Sequence, residues 1–153
     1  MTVEWHMRVT APCKWLTAND RRTPIAQSAL IRQWREASFA AAKVAHLPVG
    51  LQRVRIDVVA HFRGRPPVRD RSNLAPTIKA VVDGLGPARD FLWRGKPFHA
   101  VGYGLIPDDS DAYLDGPHLE IGAPLPARTY AAVGELELFI SDLSAGVLAA
   151  VKR

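Results

Sequence analysis

Strict alternation of apolar and polar residues over Arg53–Phe62 is the sequence feature that most constrains the fold of this chain. Every second side chain in the segment is apolar: Val54, Ile56, Val58, Ala60 and Phe62. A period of two puts these side chains on one face of a β-strand. Such a face is stable only when another layer of the protein covers it. The segment therefore predicts a strand with one buried face.

Three further segments predict strands. Thr2–Thr10 and Glu135–Ile140 alternate in the same way, and Ala112–Gly122 does so with an interruption at Asp115-Gly116-Pro117. The expected inward residues of the first two are all apolar: Val3, Trp5, Met7, Val9, Leu136, Leu138 and Ile140. The interrupted segment is still expected to be a strand, because β-rich sequence continues on both sides of the Gly-Pro pair.

Helical spacing appears in two segments. Ile25–His46 follows Thr23-Pro24, which is typical of an N-cap with proline in the first turn, and Pro48 and Gly50 end the pattern. Its expected buried stripe is apolar: Leu30, Trp34, Ala37, Ala41 and Val44. A second helix is expected after Ser72 or Asn73 as cap. It would tolerate Pro76 in its first turn and bury Ile78, Val81, Val82 and Leu85.

The element order β-α-β-α-β-β predicts an α/β fold of the α+β type, a mixed four-stranded sheet with two main helices packed on it. The segment Gly86–Gly104 is rich in glycine, proline, aromatic residues and cations, and is expected to be a long loop. A length of 153 residues predicts a single domain over residues 1–153.

Charge and cysteine content narrow the function classes. The net charge of +5 and the pI of about 9.8 favour nucleic acid or another anionic partner, although a solvated basic surface gives the same values. Cys13 is the only cysteine, which excludes an intrachain disulfide and a cysteine-rich zinc site and favours a cytoplasmic location. The N-terminus has no apolar signal-like region, and no apolar run is long enough to span a membrane.

Acidic side chains lie beside arginines or beside one another at two places. Asp70 lies in a run with Arg63, Arg65, Arg69 and Arg71, and three carboxylates crowd the segment Asp108-Asp109-Ser110-Asp111. Carboxylates within a phosphate-attracting surface are typical of metal-dependent enzymes that act on nucleic acid. Each also has a structural interpretation, as a helix cap or as a solvated acidic turn. A calcium loop is disfavoured, because the acidic spacing does not match an EF-hand.

On the second helix, Lys79 and Asp83 are four residues apart. One interpretation is a helical ion pair that stabilises the helix by a few tenths of a kcal/mol. The other places Lys79 beside a scissile phosphate, where it stabilises charge in the transition state.

Taken together, these motifs resemble those of the RusA-type Holliday junction resolvases. That family carries Arg-Asp-x-Asp-Asn-Leu, then a lysine and Asp-(Ala/Gly)-Leu on the following helix, and later Asp-Asp-(Ser/Ala)-x. The chain matches this pattern at nine positions: Asp70, Asn73, Leu74, Lys79, Asp83, Leu85, Asp108, Asp109 and Ser110. The segment Gly134–Leu143 is also similar to the last strand of the family.

The resemblance implies a homodimeric, Mg²⁺-dependent endonuclease, with Mn²⁺ as a substitute, that resolves Holliday junctions or similar branched DNA in recombination and repair. It implies catalytic roles for Asp70, Asp109 and Lys79. The implied metal ligands are acidic: Asp70, Asp83, Asp108 and Asp109. The expected DNA-binding residues are Arg21, Arg22, Arg65, Arg69, Arg71 and Asn73.

Two departures from the family pattern leave alternatives open. Ser72 stands where the family has a second aspartate, so the chain either completes its metal site with Asp83, Asp108 or Asp111, or binds branched DNA with weak or no cleavage. The longer segment before Asp108 holds aromatics and cations that either stack on bases or pack under a loop.

A third alternative is an interaction protein whose acidic segment is only a solvated turn. The scattered histidines His61, His99 and His118 are expected to be structural.

Overall fold

A computed structural model describes residues 3–67, 70–128 and 130–144. These residues form two α-helices, six β-strands and a one-turn 3-10 helix at Arg71–Leu74. The helices are α1 (Pro24–Val44) and α2 (Ala75–Leu85). The strands are β1 (Glu4–Thr10), β2 (Val54–Phe62), β3 (Arg89–Trp93), β4 (Lys96–Ala100), β5 (Leu114–Ile121) and β6 (Gly134–Asp142).

The main sheet has four strands in the order β1-β6-β2-β5. β6 runs antiparallel to both of its neighbours, whereas β2 and β5 are parallel. A parallel pair requires a crossover, and here α2 and the β3–β4 hairpin lie in the connection. The predicted α+β class, with a mixed four-stranded sheet and two main helices, is confirmed.

One face of this sheet forms the core. The five alternating residues of β2 and the three of β6 are almost completely buried, as expected from their period of two. Trp34 of α1 is fully buried against them, stacks on Trp15 at 5.1 Å between ring centroids, and donates its indole N–H to the Lys14 carbonyl at 3.0 Å. The opposite face of the sheet carries charged residues, among them Glu137, which hydrogen-bonds both His6 and His61.

Helix α1 begins at the predicted cap, because the Thr23 hydroxyl accepts the Ala26 N–H at 3.2 Å. The predicted buried stripe is partly wrong, since Val44 is 80% exposed while Ser38 and Ala42 are buried. The face is set by the close approach of α2: the Ser38 hydroxyl donates to the Val81 carbonyl at 2.7 Å. No helix among residues 3–67, 70–128 and 130–144 is long and apolar enough to cross a bilayer.

The start of the second helical region differs from the expectation of Ser72 or Asn73 as cap. Asp70 caps it instead, because its carboxylate accepts the Ser72 N–H at 3.0 Å and opens the 3-10 turn that leads into α2. The expected buried face of α2, from Ile78 to Leu85, is confirmed. An aspartate at the N-cap was equally compatible with the sequence, since Asp and Ser cap helices comparably well.

The expected long loop over Gly86–Gly104 is wrong, because strands β3 and β4 form an antiparallel hairpin there. Its two-residue turn is Arg94-Gly95, and both residues have positive φ, 50° and 75°. That geometry matches the twist of paired strands, and glycine adopts it without strain. The sequence lacks the Asn-Gly pair that usually indicates such a turn. The strands on both sides mix aromatic residues with cations, and this composition led to the prediction of a loop.

Thr77 ties the β1–α1 connection to α2 and provides a test of the fold. Its buried hydroxyl accepts the Leu16 N–H at 2.8 Å and donates to the Leu16 carbonyl at 2.7 Å. We expect Thr77→Val, which keeps the shape and removes both bonds, to lower the free energy of unfolding by about 2–4 kcal/mol. Urea denaturation measures this, with Thr77→Ser as a control that keeps the hydroxyl. A valine variant as stable as the wild type contradicts the assignment.

Candidate functional site

An open cleft of about 600 Å³ lies between the start of α2 and strand β5. The wall on the helix side carries Asp70, Arg71, Ser72 and Lys79, and the wall on the strand side includes His118 and Glu120. Asp109, from the loop before β5, also borders the cleft. Apolar side chains form the rest of the lining, among them Ala75, Ile78, Val82, Leu114 and Leu119. Residues far apart in the sequence thus converge on one concave surface.

Asp70 is held at the rim of the cleft by the turn that it caps. The Ser72 N–H and the Ser72 side chain both hydrogen-bond its carboxylate, and these bonds hold the pKa of Asp70 below its ordinary value. The group therefore stays ionised throughout the neutral pH range. Capping uses one carboxylate oxygen, Oδ1, so the cap and a metal ligand are compatible roles for the same side chain.

Lys79 joins the two other acidic segments. Its ammonium group donates to Asp83 Oδ1 at 2.8 Å and forms a short hydrogen bond to Asp109 Oδ2. Partial burial lowers the pKa of Lys79, but the hydrogen bonds to Asp109 and Asp83 outweigh it and leave the pKa above its ordinary value. The bond from Lys79 is also the main reason that the pKa of Asp109 is lowered. Lys79 and Asp109 are thus both charged at neutral pH.

The other predicted acidic ligands have different surroundings. Asp108 Oδ1 accepts the backbone N–H of Asp109 at 2.9 Å, which fixes the direction of the chain at Asp109. Asp83 faces a small adjoining pocket that Asp109 shares. Asp111 is exposed on the turn that leads into β5. The structure therefore brings Asp70, Lys79 and Asp109 to one cleft and gives Asp108 and Asp83 contacts that position them.

Strand β5 contributes residues that the sequence did not single out as part of a site. His118 and Glu120 border the cleft, and His118 hydrogen-bonds Asp115 at 2.8 Å. Gly116 has a φ of 115°, and a side chain there would lie 2.7 Å from the Ile56 carbonyl oxygen. Glycine at this position therefore lets β5 approach β2 closely. The Asp115-Gly116-Pro117 interruption was the one sequence signal that marked this edge of the sheet.

Of the predicted DNA-binding residues that the structure describes, Arg71 borders the cleft. It donates to Glu120 Oε1 at 3.0 Å. The backbone carbonyl of Asn73 accepts the Ala18 N–H at 2.9 Å, and this bond anchors the loop that carries Arg21 and Arg22. In that loop Arg21 is exposed, and Arg22 pairs with Asp20 at 2.6 Å. Arg65 is also exposed, whereas Arg69 lies outside the described residues.

The donor set limits the kind of metal that the cleft can hold. Residues 3–67, 70–128 and 130–144 bring no three His, Cys, Asp or Glu side chains close enough together to cage a metal ion. Asp70 and Asp109 do border the same cleft. Mg²⁺ suits such a set, because it is commonly held by one or two carboxylates and takes its other ligands from waters and substrate phosphates. The residues fit Mg²⁺ bound together with a phosphate.

His61, His99 and His118 each hydrogen-bond a carboxylate, and the described part of the chain brings no three potential metal-ligating side chains together. His61 contacts Glu137 at 2.6 Å, and His99 contacts Asp90 at 2.7 Å. Of the three, His118 borders the cleft.

Comparison with models of known protein families and with curated proteins finds no match for this chain.

Proposed function

We propose that this protein is a Mg²⁺-dependent, structure-selective endonuclease that resolves Holliday junctions or similar branched DNA. The observation that carries the proposal is the convergence of Asp70, Lys79 and Asp109 on one cleft of a basic protein. These are the three residues to which the motif resemblance gives catalytic roles. Mn²⁺ is expected to replace Mg²⁺, because both are bound by oxygen ligands.

In this proposal, Asp70 and Asp109 hold the divalent cation. Both carboxyls have lowered pKa values and are ionised at neutral pH, as metal ligands must be. When bound, the cation supplies Lewis-acid chemistry: it activates a water and stabilises the oxygen that leaves the phosphodiester. Asp108 orients Asp109 through its backbone N–H, which is the kind of supporting contact that fixes the direction of a ligand.

Lys79 is proposed to stabilise the charge that develops on the phosphate. Its raised pKa keeps it protonated, and its ammonium group borders the same cleft as the two ligands. In the absence of DNA it neutralises Asp109 and Asp83, so the carboxylates remain close without mutual repulsion. A phosphate entering the cleft would draw the ammonium away from Asp109 and free that carboxylate for the cation.

Basic residues at the cleft and elsewhere on the exposed surface are proposed to hold the DNA backbone. Arg71 is positioned by Glu120, while Arg21 and Arg65 are exposed and available to phosphates. Resolution of a four-way junction needs two symmetric cuts, and the described part of the chain brings Asp70, Lys79 and Asp109 together in one cleft. We therefore propose a twofold-symmetric homodimer, which supplies the second cleft with matching symmetry.

Cleavage of a labelled four-way junction tests the proposal. We expect paired nicks in opposing strands with Mg²⁺, none in EDTA, and little cleavage of a linear duplex of the same sequence. Light scattering at the same protein concentration should give the mass of a dimer. Binding of the junction without any cleavage in Mg²⁺ or Mn²⁺ contradicts the enzyme, and equal binding of linear and branched DNA contradicts the structure selectivity.

The alternative is a branched-DNA-binding protein with weakened or absent catalysis, and it is favoured by Ser72. The Ser72 side chain borders the cleft, where the resemblance expects a carboxylate. We expect Ser72→Asp to lower the Mg²⁺ concentration needed for half-maximal cleavage, because it adds a charged oxygen ligand. A Mg²⁺ titration of both proteins measures this. A variant that needs more Mg²⁺ than the wild type would show that added repulsion outweighs the new ligand.

A further inference from the structure

The β3–β4 hairpin exposes a set of aromatic side chains that the protein core does not use. All the residues of β3 are exposed, with Trp93 45% exposed and Phe91 48% exposed. Phe98 on β4 is 38% exposed. Large apolar side chains that stay in solvent as a group mark interaction surfaces, whereas single ones carry no such meaning.

One face of the hairpin gathers these rings. Strand alternation and the Phe91–Phe98 pairing put Phe91, Trp93 and Phe98 on the same side. Phe91 and Phe98 stack with centroids 5.8 Å apart, and Trp93 meets Phe98 edge-on at 6.0 Å. The rings therefore order one another and form a platform, which we call the aromatic platform, without help from the core.

Cations surround the aromatic platform. Arg94 lies over the Trp93 ring at 4.5 Å, Lys96 pairs across the strands with Trp93, and Arg89 lies on the same face at the base. Within Arg89–Ala100, three cations stand against the single carboxylate of Asp90, a net of two positive charges. Two such faces would repel each other, which disfavours a second copy of this chain. A partner with flat apolar groups and negative charge is favoured.

Hydrogen bonds and close backbone packing hold the base of the hairpin in place next to the candidate site. Arg35 of α1 donates to the carbonyls of Pro87 at 3.3 Å and Val101 at 2.5 Å, one on each side of the hairpin base. The two sides pass so closely that a side chain at Gly102 would lie 2.3 Å from the Pro87 backbone. At the base, Arg89 borders the same small pocket as Asp109. A fixed platform binds with less ordering cost than a mobile loop.

From these observations we propose that the aromatic platform stacks on nucleotide bases that are unpaired or splayed at the branch point of the DNA. This inference rests on the proposed function and names the part of the DNA that the hairpin reads. Bases combine flat apolar faces with backbone charge, and stacking on aromatic rings beside cations is the usual way that proteins hold them. Five-residue strands extend about 15 Å, which is the length of a few nucleotides, and the base of the hairpin lies beside Asp109 at the small pocket.

Binding in EDTA tests the platform separately from catalysis. The probes are a four-way junction with 2-aminopurine at the branch point and a linear duplex of the same sequence. We expect Trp93→Ala to weaken junction binding about tenfold and to abolish the change in 2-aminopurine fluorescence. Trp93→Phe should keep most of the affinity, because it keeps a ring. Leu92→Ala is the matched control, since Leu92 is 75% exposed on the opposite face of the hairpin.

Salt dependence provides a second readout. Trp93→Ala removes no phosphate contact, so the slope of log affinity against log salt should match the wild type, whereas Arg71→Ala should reduce it by about one. Equal effects of Trp93→Ala and Leu92→Ala, or equal losses on junction and linear duplex, overturn the inference. Conversion of a dimer to a monomer by Trp93→Ala also overturns it, because the platform would then contact a second copy.

The two proposals fail in different ways. If the wild type binds the junction but never cuts it, while Trp93→Ala loses junction binding, the nuclease proposal fails and the platform stands. If Trp93→Ala binds and cuts the junction like the wild type, the platform fails and the nuclease stands.

Discussion

Asp70→Asn and Asp109→Asn should each reduce junction cleavage by about a thousandfold, since each removes a metal ligand worth several kcal/mol of transition-state stabilisation. Junction binding should be unchanged or tighter, because each variant also removes a negative charge that faces phosphate. Single-turnover cleavage in Mg²⁺ and equilibrium binding in EDTA measure the two effects separately.

The matched control for these variants is Asp111→Asn, which makes the same change of charge at an exposed position in the turn beside Asp109. It should cleave close to the wild-type rate. Cleavage at near wild-type rate by either Asp70→Asn or Asp109→Asn would show that the metal site lies elsewhere. Equal losses in all three variants would point to an effect of overall charge.

Lys79→Met should lower the rate of cleavage by about a hundredfold, because it removes the cation proposed to stabilise the transition-state charge. It should also lower the Mg²⁺ concentration at half-maximal cleavage, since Asp109 and Asp83 lose their competing ammonium partner. The first effect slows the enzyme, whereas the second improves its use of Mg²⁺. A purely structural lysine would produce neither of them. Mg²⁺ titrations under single-turnover conditions separate the rate from the metal requirement.

Lys79→Arg is the control for this prediction, because it keeps the charge while changing the geometry. The stability of Lys79→Met should change by about 1 kcal/mol or less, as expected for an ion pair whose lysine is 60% exposed. Full activity in Lys79→Met would contradict a catalytic role for Lys79 and would show that the Lys79–Asp83 pair is an ordinary helical ion pair.

The sheet could be predicted because period-two alternation is a direct consequence of strand geometry. Each inward residue of β2 and β6 follows it, and so the four strands and the buried faces of β2 and β6 were visible in the sequence. The predicted inward face of β1 is partly wrong, because Met7 and Val9 are buried but Val3 is 50% exposed. The hairpin was not visible, because its aromatic face packs on itself rather than on the core. Alternation of exposed aromatics with cations has no apolar-polar contrast, and the Arg94-Gly95 turn is not a common hairpin signal.

Only part of the candidate site could be predicted from the sequence. Asp70, Lys79 and Asp109 were found through short motifs, and the fold brings all three to one cleft. His118 and Glu120 belong to no motif, and they reach the cleft only because β5 lies parallel to β2. Which strands pair is decided by contacts distant in sequence. The opposite wall of a cleft therefore cannot be located from local patterns.

The most direct measurement of the metal site replaces Mg²⁺ with Fe²⁺ and ascorbate, so that hydroxyl radicals cut the polypeptide beside the bound ion. Mass spectrometry of the fragments, with the protein bound to a junction, locates the cuts. If the cleft holds the metal, the cuts cluster next to Asp70 and Asp109, excess Mg²⁺ suppresses them, and Asp109→Asn loses them. Cuts confined to other parts of the chain, or cuts that persist in Asp109→Asn, would contradict a metal centre in this cleft.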